Sequence, residues 1–326
     1  MKLSSSVDPF RSPSAAQIPN NCFATFSSSP LKDRFVVDEN SIPTDQAVFF
    51  DNWPHATALP SPAQVRQASN RLNHLKKRQQ VVCFPDLQLI VKYGHTSTTP
   101  VAEGQTLWLL SFVPHMRVPK VYGWCEDGGQ RFIYMERVEG VTVEERWPSL
   151  SAPQKLAVVE QLNVMVSSMR RLKQAPGNSY IGAVHHGHIH EQVWNITDRL
   201  GPFDSVKTFT DQLFELGKHL PGYPDHPFIR SLRHAFSDHS SIVFTHADLH
   251  RRNIIMSATS TDVLGIIDWH EGGWYPEFWE YIKSFWTVDW WNTDDDWKDY
   301  VGIAVQPAYD DELEAFQQFA QTGVIL

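Results

Sequence analysis

The stretch THADLHRRNI, residues 245–254, lies between two apolar runs, Ile242–Phe244 and Ile254–Met256. Polar residues hemmed in by strand-like segments mark places where the chain leaves a sheet, and reactive groups are commonly held there. Downstream, SATSTD at residues 257–262 has turn composition, so Ile254–Met256 is expected to fold back on Val263–Ile267 as a hairpin. With the turn centred between Ser260 and Thr261, Met256 pairs with Gly265 and Asn253 faces Asp268. Side chains opposed in this way stand about 5 Å apart, close enough to share a cation. Two oxygen ligands suit magnesium, which completes its shell with water and phosphate, so Asn253 and Asp268 are the candidate metal ligands. Asp248, in the loop just before, is the candidate base that orients a substrate hydroxyl and accepts its proton. His246 is expected to organise the loop through ring bonds to backbone, and is kept as a second candidate catalytic residue.

The rest of the chain sets the frame for that loop. At 326 residues it is long for one domain and has room for two lobes with a cleft between them. Hydrophobic residues at 42% and charged residues at 20% are those of an ordinary soluble protein. A net charge of -9 argues against a nucleic-acid partner, which would ask for a basic face. The N-terminal 30 residues hold no continuous apolar core of a secretory signal, and no run approaches the roughly 18 apolar residues of a membrane span. Three scattered cysteines, Cys22, Cys83 and Cys125, suit a reducing compartment. A cytoplasmic protein with no membrane partner is expected.

Serine and proline crowd the first 40 or so residues, which reads as a flexible or loosely packed segment. Ser61-Pro62 then caps a helix whose Val65, Ala68, Leu72 and Leu75 recur at helical spacing up to Lys77. Residues 81–84 and 87–93, around Pro85-Asp86, predict a β-hairpin, and Thr99-Pro100 opens a helix toward Phe112. Arg131–Met135 is a further strand. Ser151 caps a helix with a stripe of Leu156, Val159, Leu162, Val166, Met169 and Leu172, read as core packing. Helices close the chain. The pattern is a small strand-rich front and a larger helical back, and a cleft between such lobes is where a ligand is expected.

HADLHRRN followed by IIDWH resembles the HxDxxxxN and IDW elements of the aminoglycoside phosphotransferase and choline kinase-like branch of the protein-kinase superfamily. FTHADLHRRNII, GIIDWHEGGWYPEFWEYIK, FIYMERVEG and VPKVYGW look especially like its fungal phosphotransferase-enzyme members, over about Gln79 to Lys283. The resemblance implies an α+β, bilobal protein-kinase-like fold, with a small antiparallel-sheet N-lobe and a larger, mostly helical C-lobe. Residues 1–45 would be the loose N-terminal segment, 46–137 the N-lobe and 138–326 the C-lobe. It implies an ATP-dependent phosphotransferase acting on a hydroxyl of a small molecule, with Asp248 as base and Asn253 and Asp268 on Mg2+. By the same resemblance Lys92, in LIVKYG, contacts the nucleotide phosphates and Glu103, in PVAEGQ, pairs with it. Met135, Glu136, Arg137 and Val138 form the segment between the lobes, where backbone groups would meet adenine.

Three departures from the family pattern stand out. The first glycine of the chain is Gly94, so no glycine-rich loop precedes Lys92. Ala247 stands where the family usually has glycine, and His270-Glu271 follows IDW in place of an acidic then apolar pair. Two other readings stay open. The alternation of His246, Asp248 and His250, repeated by Asp268 and His270, fits a zinc or manganese hydrolase. A kinase-like scaffold that binds a ligand without phosphotransfer would explain the missing glycines. HHGHIH, residues 185–190, reads as a loop that could also offer a substrate-specific proton acceptor. Trp274, Trp286, Trp290 and Trp291 with Asp289, Asp294, Asp295 and Asp296 could form an aromatic, acidic lip for a cationic acceptor, or be buried tryptophans beside a solvated acidic turn.

Overall fold

The computed structural model describes residues 23–24, 31–32, 35–71, 79–194, 200–220, 222, 226–290 and 296–324. Its strands are β1 (Phe23–Ala24), β2 (Leu31–Lys32), β3 (Val36–Val37), β4 (Val48–Phe50), β5 (Gln79–Phe84), β6 (Leu89–His95), β7 (Val121–Asp127), β8 (Gln130–Glu136), β9 (Val141–Thr142), β10 (Ile242–Thr245), β11 (Ile254–Met256), β12 (Val263–Ile266) and β13 (Gly273–Pro276). Its helices are α1 (Pro62–Arg71), α2 (Ala102–Leu110), α3 (Val143–Arg146), α4 (Ala152–Arg170), α5 (Val206–Phe214), α6 (Pro227–His234), α7 (Trp279–Trp290), α8 (Trp297–Ala304) and α9 (Asp310–Phe319). The front lobe is one sheet in the order β1-β4-β7-β8-β6-β5, antiparallel except for β1 with β4. The back lobe is helical and carries two small sheets, β10-β13 and β12-β11-β9. This is the small-sheet, large-helical bilobal arrangement expected from the sequence.

Strand periodicity decides which side chains meet the cleft. Val91 and Tyr93 point to the outer face of the front sheet, where they bury with Val65 of α1, Val82 and Phe132. Lys92, between them, must point to the opposite face. That face carries α2, whose Leu107, Leu109 and Leu110 join the main core shared with the back lobe. The β5–β6 hairpin closes through a 3-10 turn at Pro85–Leu87, ended by Gln88 in the left-handed region at φ 47°. Pro85 supplies the fixed φ at its start. Helix α1 is capped reciprocally, Gln64 Oε1 accepting the Ser61 N–H while Ser61 Oγ accepts the Gln64 N–H. Leu72 and Leu75, expected on its stripe, lie outside the described residues. Helix α2 begins at Ala102 because the preceding Thr98 and Thr99 N–H groups both turn back onto His95 O.

In the back lobe Val159, Leu162, Val166 and Met169 of α4 are buried as their spacing requires, whereas Leu156 is 40% exposed and outside the stripe. A capping box between Ser151 and Gln154 starts this helix. The β11–β12 hairpin forms, but not in the register expected. Ile254 pairs with Ile266, Ile255 with Gly265 and Met256 with Val263, so Met256 does not face Gly265. The Ser257 N–H donates to Asp262 O and Ser257 Oγ accepts the Thr259 and Ser260 N–H groups, tightening the loop by a residue. The extra residue is taken up as a bulge at Leu264. As a result Asn253 O receives the Ile267 N–H at 2.8 Å, and Asp268 lies one position beyond direct opposition to Asn253. No helix among the described residues is long and apolar enough to cross a membrane.

Candidate active site

Lys92 joins the lobes. Its ammonium lies 2.5 Å from Glu103 Oε1 on α2 and 2.7 Å from Asp268 Oδ1, which follows β12. Burial alone would lower the Lys92 pKa, but the charges of Glu103 and Asp268 and their hydrogen bonds carry it above the ordinary lysine value. Burial raises the Glu103 carboxyl, against the pull of Lys92. Asp268 adopts φ 63°, ψ 63°, a left-handed conformation that aspartate tolerates better than most residues. The turn is pinned from behind by Trp269, whose indole N–H donates to Ile266 O at 2.9 Å. Burial works against ionisation of Asp268, yet Lys92 outweighs it and the carboxyl sits below its usual value.

The loop of residues 246–253 leaves β10, which is held in the C-lobe by its pairing with β13 from Thr245 opposite Gly273 to Ile242 opposite Pro276. His246 is 1% exposed and both its ring nitrogens are engaged. Nε2 meets Ile267 O at 3.0 Å, and Nδ1 accepts the Asp248 N–H at 3.2 Å, which fixes the proton on Nε2. Burial lowers its pKa, so the ring is neutral. Both ring nitrogens of His246 are thus engaged by backbone groups, the geometry of a loop organiser. Ala247 is fully buried at φ 66°. Asp248 Oδ2 accepts the Asn253 side-chain N–H at 3.0 Å and stands 3.5 Å from His250 Nε2. Burial pushes the Asp248 carboxyl up, but the His250 hydrogen bond and the charges of His250 and Lys283 hold it below its ordinary value. It is a carboxylate held in its ionised form.

The sequence reading missed what holds this loop. Glu280 of α7, 1% exposed, accepts the backbone N–H groups of His246 at 2.6 Å and Ala247 at 3.2 Å. Beside it, Lys283 is fully buried between Glu191, with which it makes a short ion pair, and Glu271 at 3.4 Å. Burial raises the Glu271 carboxyl well above its ordinary value, against the pull of Lys283. Trp279 donates its indole N–H to Glu191 Oε2 at 2.9 Å. The available signal was the density of charged residues in an otherwise apolar helix, WEYIKSFW, since a buried charge needs a buried partner.

A magnesium ion needs oxygen ligands. The Asn253 amide nitrogen is spent on the Asp248 carbonyl and carboxylate, at 2.9 and 3.0 Å. That leaves its oxygen as the unengaged end, and among the described residues no donor reaches it. Asp268 is ionised, with one oxygen on Lys92 and a side chain 44% exposed. An amide oxygen and a carboxylate of this kind fit magnesium. Among the described residues no group of three or more His, Cys, Asp or Glu side chains is placed to hold a metal. His246, Asp248, His250, Asp268 and His270 therefore do not assemble the hydrolase-type centre that their spacing allowed.

Between the lobes, Met135 is buried in β8. The Glu136 N–H donates to Lys120 O and the Arg137 N–H to Gln88 O, both at 2.8 Å. The Val138 N–H, by contrast, makes no hydrogen bond among the described residues. The histidines of residues 185–190 diverge: His186 stacks on Tyr180 at 3.8 Å, His188 Nδ1 meets Gly201 O at 2.6 Å, and His190 lies 4.8 Å from His270. The described parts of the aromatic, acidic lip do not form one. Trp274 is wholly buried, Trp286 packs against the Lys283 ammonium, and Asp296 is held by Lys155 at 2.7 Å and by the Trp147 indole. Trp291, Asp294 and Asp295 lie outside the described residues, as do the side chains of Asp289 and Trp290.

The phosphotransferase enzyme family model matches residues 68–320 of the chain. No curated protein matches it. Among solved structures the chain is similar to an aminoglycoside-3'-phosphotransferase of type VIII, at 14% identity and TM-score 0.48 over 79% of this chain and 98% of that one. It is also similar to the aminoglycoside phosphotransferase APH(3'')-Id from Streptomyces rimosus in complex with ADP and streptomycin, at 16% identity and TM-score 0.47 over 78% and 96%. A thermostable mutant of aminoglycoside phosphotransferase APH(4)-Ia with ADP and hygromycin B gives 11% identity and TM-score 0.46 over 76% and 84%.

Proposed function

The chain belongs to the phosphotransferase enzyme family and acts on an alcohol group; from that premise we propose that it transfers the γ-phosphoryl group of ATP to a hydroxyl of a small molecule. The observation that carries this reading is the position of Lys92, a buried cation drawn to Glu103 of one lobe and Asp268 of the other at 2.5 and 2.7 Å. A cation so placed at the cleft neutralises charge on phosphates, and phosphoryl transfer depends chiefly on positioning and charge stabilisation.

Asp248 is the residue that meets the acceptor. Ionised and oriented by Asn253, it aligns the hydroxyl and takes its proton as the oxygen attacks phosphorus. Glu103 keeps Lys92 in place, and the Val138 N–H with the carbonyls beside it accommodates the adenine. The Asn253 amide oxygen and the Asp268 carboxylate would hold Mg2+, which supplies further charge neutralisation on the phosphates when bound. The missing glycine-rich loop shifts more of the phosphate binding onto Lys92.

Thermal unfolding with ATP plus magnesium, magnesium alone and zinc tests the reading. Magnesium with ATP at a hundred times its dissociation constant adds about 2.7 kcal/mol of stability, a readily measured rise in Tm. Stabilisation by zinc alone, or none by the nucleotide pair, would overturn it.

A further inference from the structure

Residues 35–45 lie ahead of β4 and are anchored in turn to both lobes. At the C-lobe end, Phe35 O accepts the Lys173 N–H at 2.8 Å, the Val37 N–H donates to Lys173 O at 2.9 Å, and the Arg171 guanidinium lies 3.8 Å over the Phe35 ring. Next, the Glu39 carboxylate accepts the Tyr180 hydroxyl in a short hydrogen bond and comes within 3.9 Å of His186 Nδ1, whose ring stacks on Tyr180. Val37 and Ile42, 1% and 2% exposed, insert into the main core. At the N-lobe end, Pro43 O accepts the Gln105 side-chain N–H at 2.8 Å and Asp45 O accepts the Trp124 indole N–H at 3.0 Å.

Both N-lobe anchors grip the turn of α2 that carries Glu103. Gln105 is two residues further along that helix and itself buried. Trp124 touches it at Gly104, where an added Cβ would come 2.9 Å from the indole Cε3. There is no room there for a methyl group. Helix α2 therefore cannot shift without breaking a buried hydrogen bond to the 35–45 segment or pushing into an indole which that segment also holds. Through Tyr180 and Lys173 the same segment is tied to the C-lobe, which supplies Asp268.

We propose that residues 35–45 are a positioning strap: by fixing α2 against the C-lobe, they keep Glu103 where it holds Lys92 for the nucleotide phosphates. Glu39, Tyr180 and Gln105 are its positioning residues. The last clause rests on the phosphotransferase reading, while the hold on α2 does not. Displacements of about 1 Å at a reacting centre can cost on the order of a hundredfold in rate, so such a tether matters to the chemistry without touching substrate.

Hydrogen exchange on the full chain and calorimetric binding of ATP with magnesium test this together, in Glu39→Ala and in Gln105→Leu. Glu39, midway along the strap, is partly exposed, so its variant keeps the test available should the buried Gln105 substitution fold poorly. The strap requires amide exchange across α2 to quicken at least tenfold in Glu39→Ala, with α9 unchanged, and the dissociation constant for the nucleotide to rise about five- to tenfold. Unchanged α2 protection, equal loosening of α2 and α9, or loosened α2 with unchanged nucleotide affinity would each overturn it. If the unaltered protein binds no ATP, the phosphotransferase reading falls, and the exchange comparison still decides the hold on α2.

Discussion

The Glu280 carboxylate accepts the His246 backbone N–H at 2.6 Å, from a helix 34 residues further along the chain. With the Ala247 N–H on its other oxygen, it fixes the two residues immediately before Asp248. Glu280→Gln keeps the shape but offers one acceptor where two donors converge, leaving a buried N–H facing an NH2 group. A loss of about 1–3 kcal/mol in urea unfolding is expected, together with slower turnover. A change below about 0.5 kcal/mol, the range of ordinary surface substitutions, would show that the loop is held by other contacts.

Ala247 pays for its methyl group with a left-handed backbone at φ 66°. That conformation costs an L-residue roughly 1–2 kcal/mol, and glycine gives back about 0.4–1 kcal/mol through its looser unfolded chain. Ala247→Gly is thus expected to be neutral to mildly stabilising, with a Tm no lower than the parent. A clear fall in Tm would mean that the buried methyl packs usefully enough to outweigh the strain.

Asp248→Asn removes the proton acceptor at little change in volume. Turnover should drop on the order of 10²–10⁴-fold, the usual worth of positioned acid–base catalysis. Stabilisation by ATP with magnesium should persist. Full activity in this variant would dismiss Asp248 as the base.

Two buried groups tilt the pH dependence of stability in opposite directions. Burial raises the Glu280 carboxyl from 4.5 to about 7, although the His246 N–H opposes it. The folded chain then holds a proton that the unfolded chain releases, and this contribution is lost as pH rises between those values. Burial first, and Lys92 next, lower the His270 imidazole from 6.5 to about 4. Here the unfolded chain gains a proton that the folded one refuses, so stability is lost as pH falls through that window. His270→Phe should therefore flatten the decline of Tm between pH 6.5 and 5, and an undiminished decline would exclude His270 as its source.

Lys92→Met leaves the wholly buried Glu103 without its cation. Breaking a buried pair from one side costs about 3–5 kcal/mol. The double variant Lys92→Met with Glu103→Leu should recover a substantial part of that stability but no nucleotide binding. Retained ATP affinity in either variant would refute the phosphate-binding role of Lys92.

Much of this architecture was legible in short motifs because their residues act through neighbours close in sequence. HADLHRRN contains both the carboxylate and the asparagine that orients it, and their bond is intramotif. Lys92, identified through the family resemblance of LIVKYG, takes the inner face of the sheet because its neighbours Val91 and Tyr93 bury on the outer one. The hairpin register was off by one because turn composition does not reveal a bulge, and Leu264 looks like any other strand residue. Glu280 and the strap escaped notice for a different reason: their partners are 34 or more residues away, and a serine- and proline-rich segment carries no periodicity to mark Val37 and Ile42 as core.

Lys92 already has a carboxylate from each lobe within 2.7 Å. On the phosphotransferase reading proposed above, an arriving triphosphate would meet no idle ammonium; it would have to outcompete Asp268, whose released carboxylate would then be open to a divalent ion accompanying the nucleotide. Loading would be a swap of ionic partners. The net affinity would reflect the difference between two sets of contacts, and metal and nucleotide would each ease the other's entry.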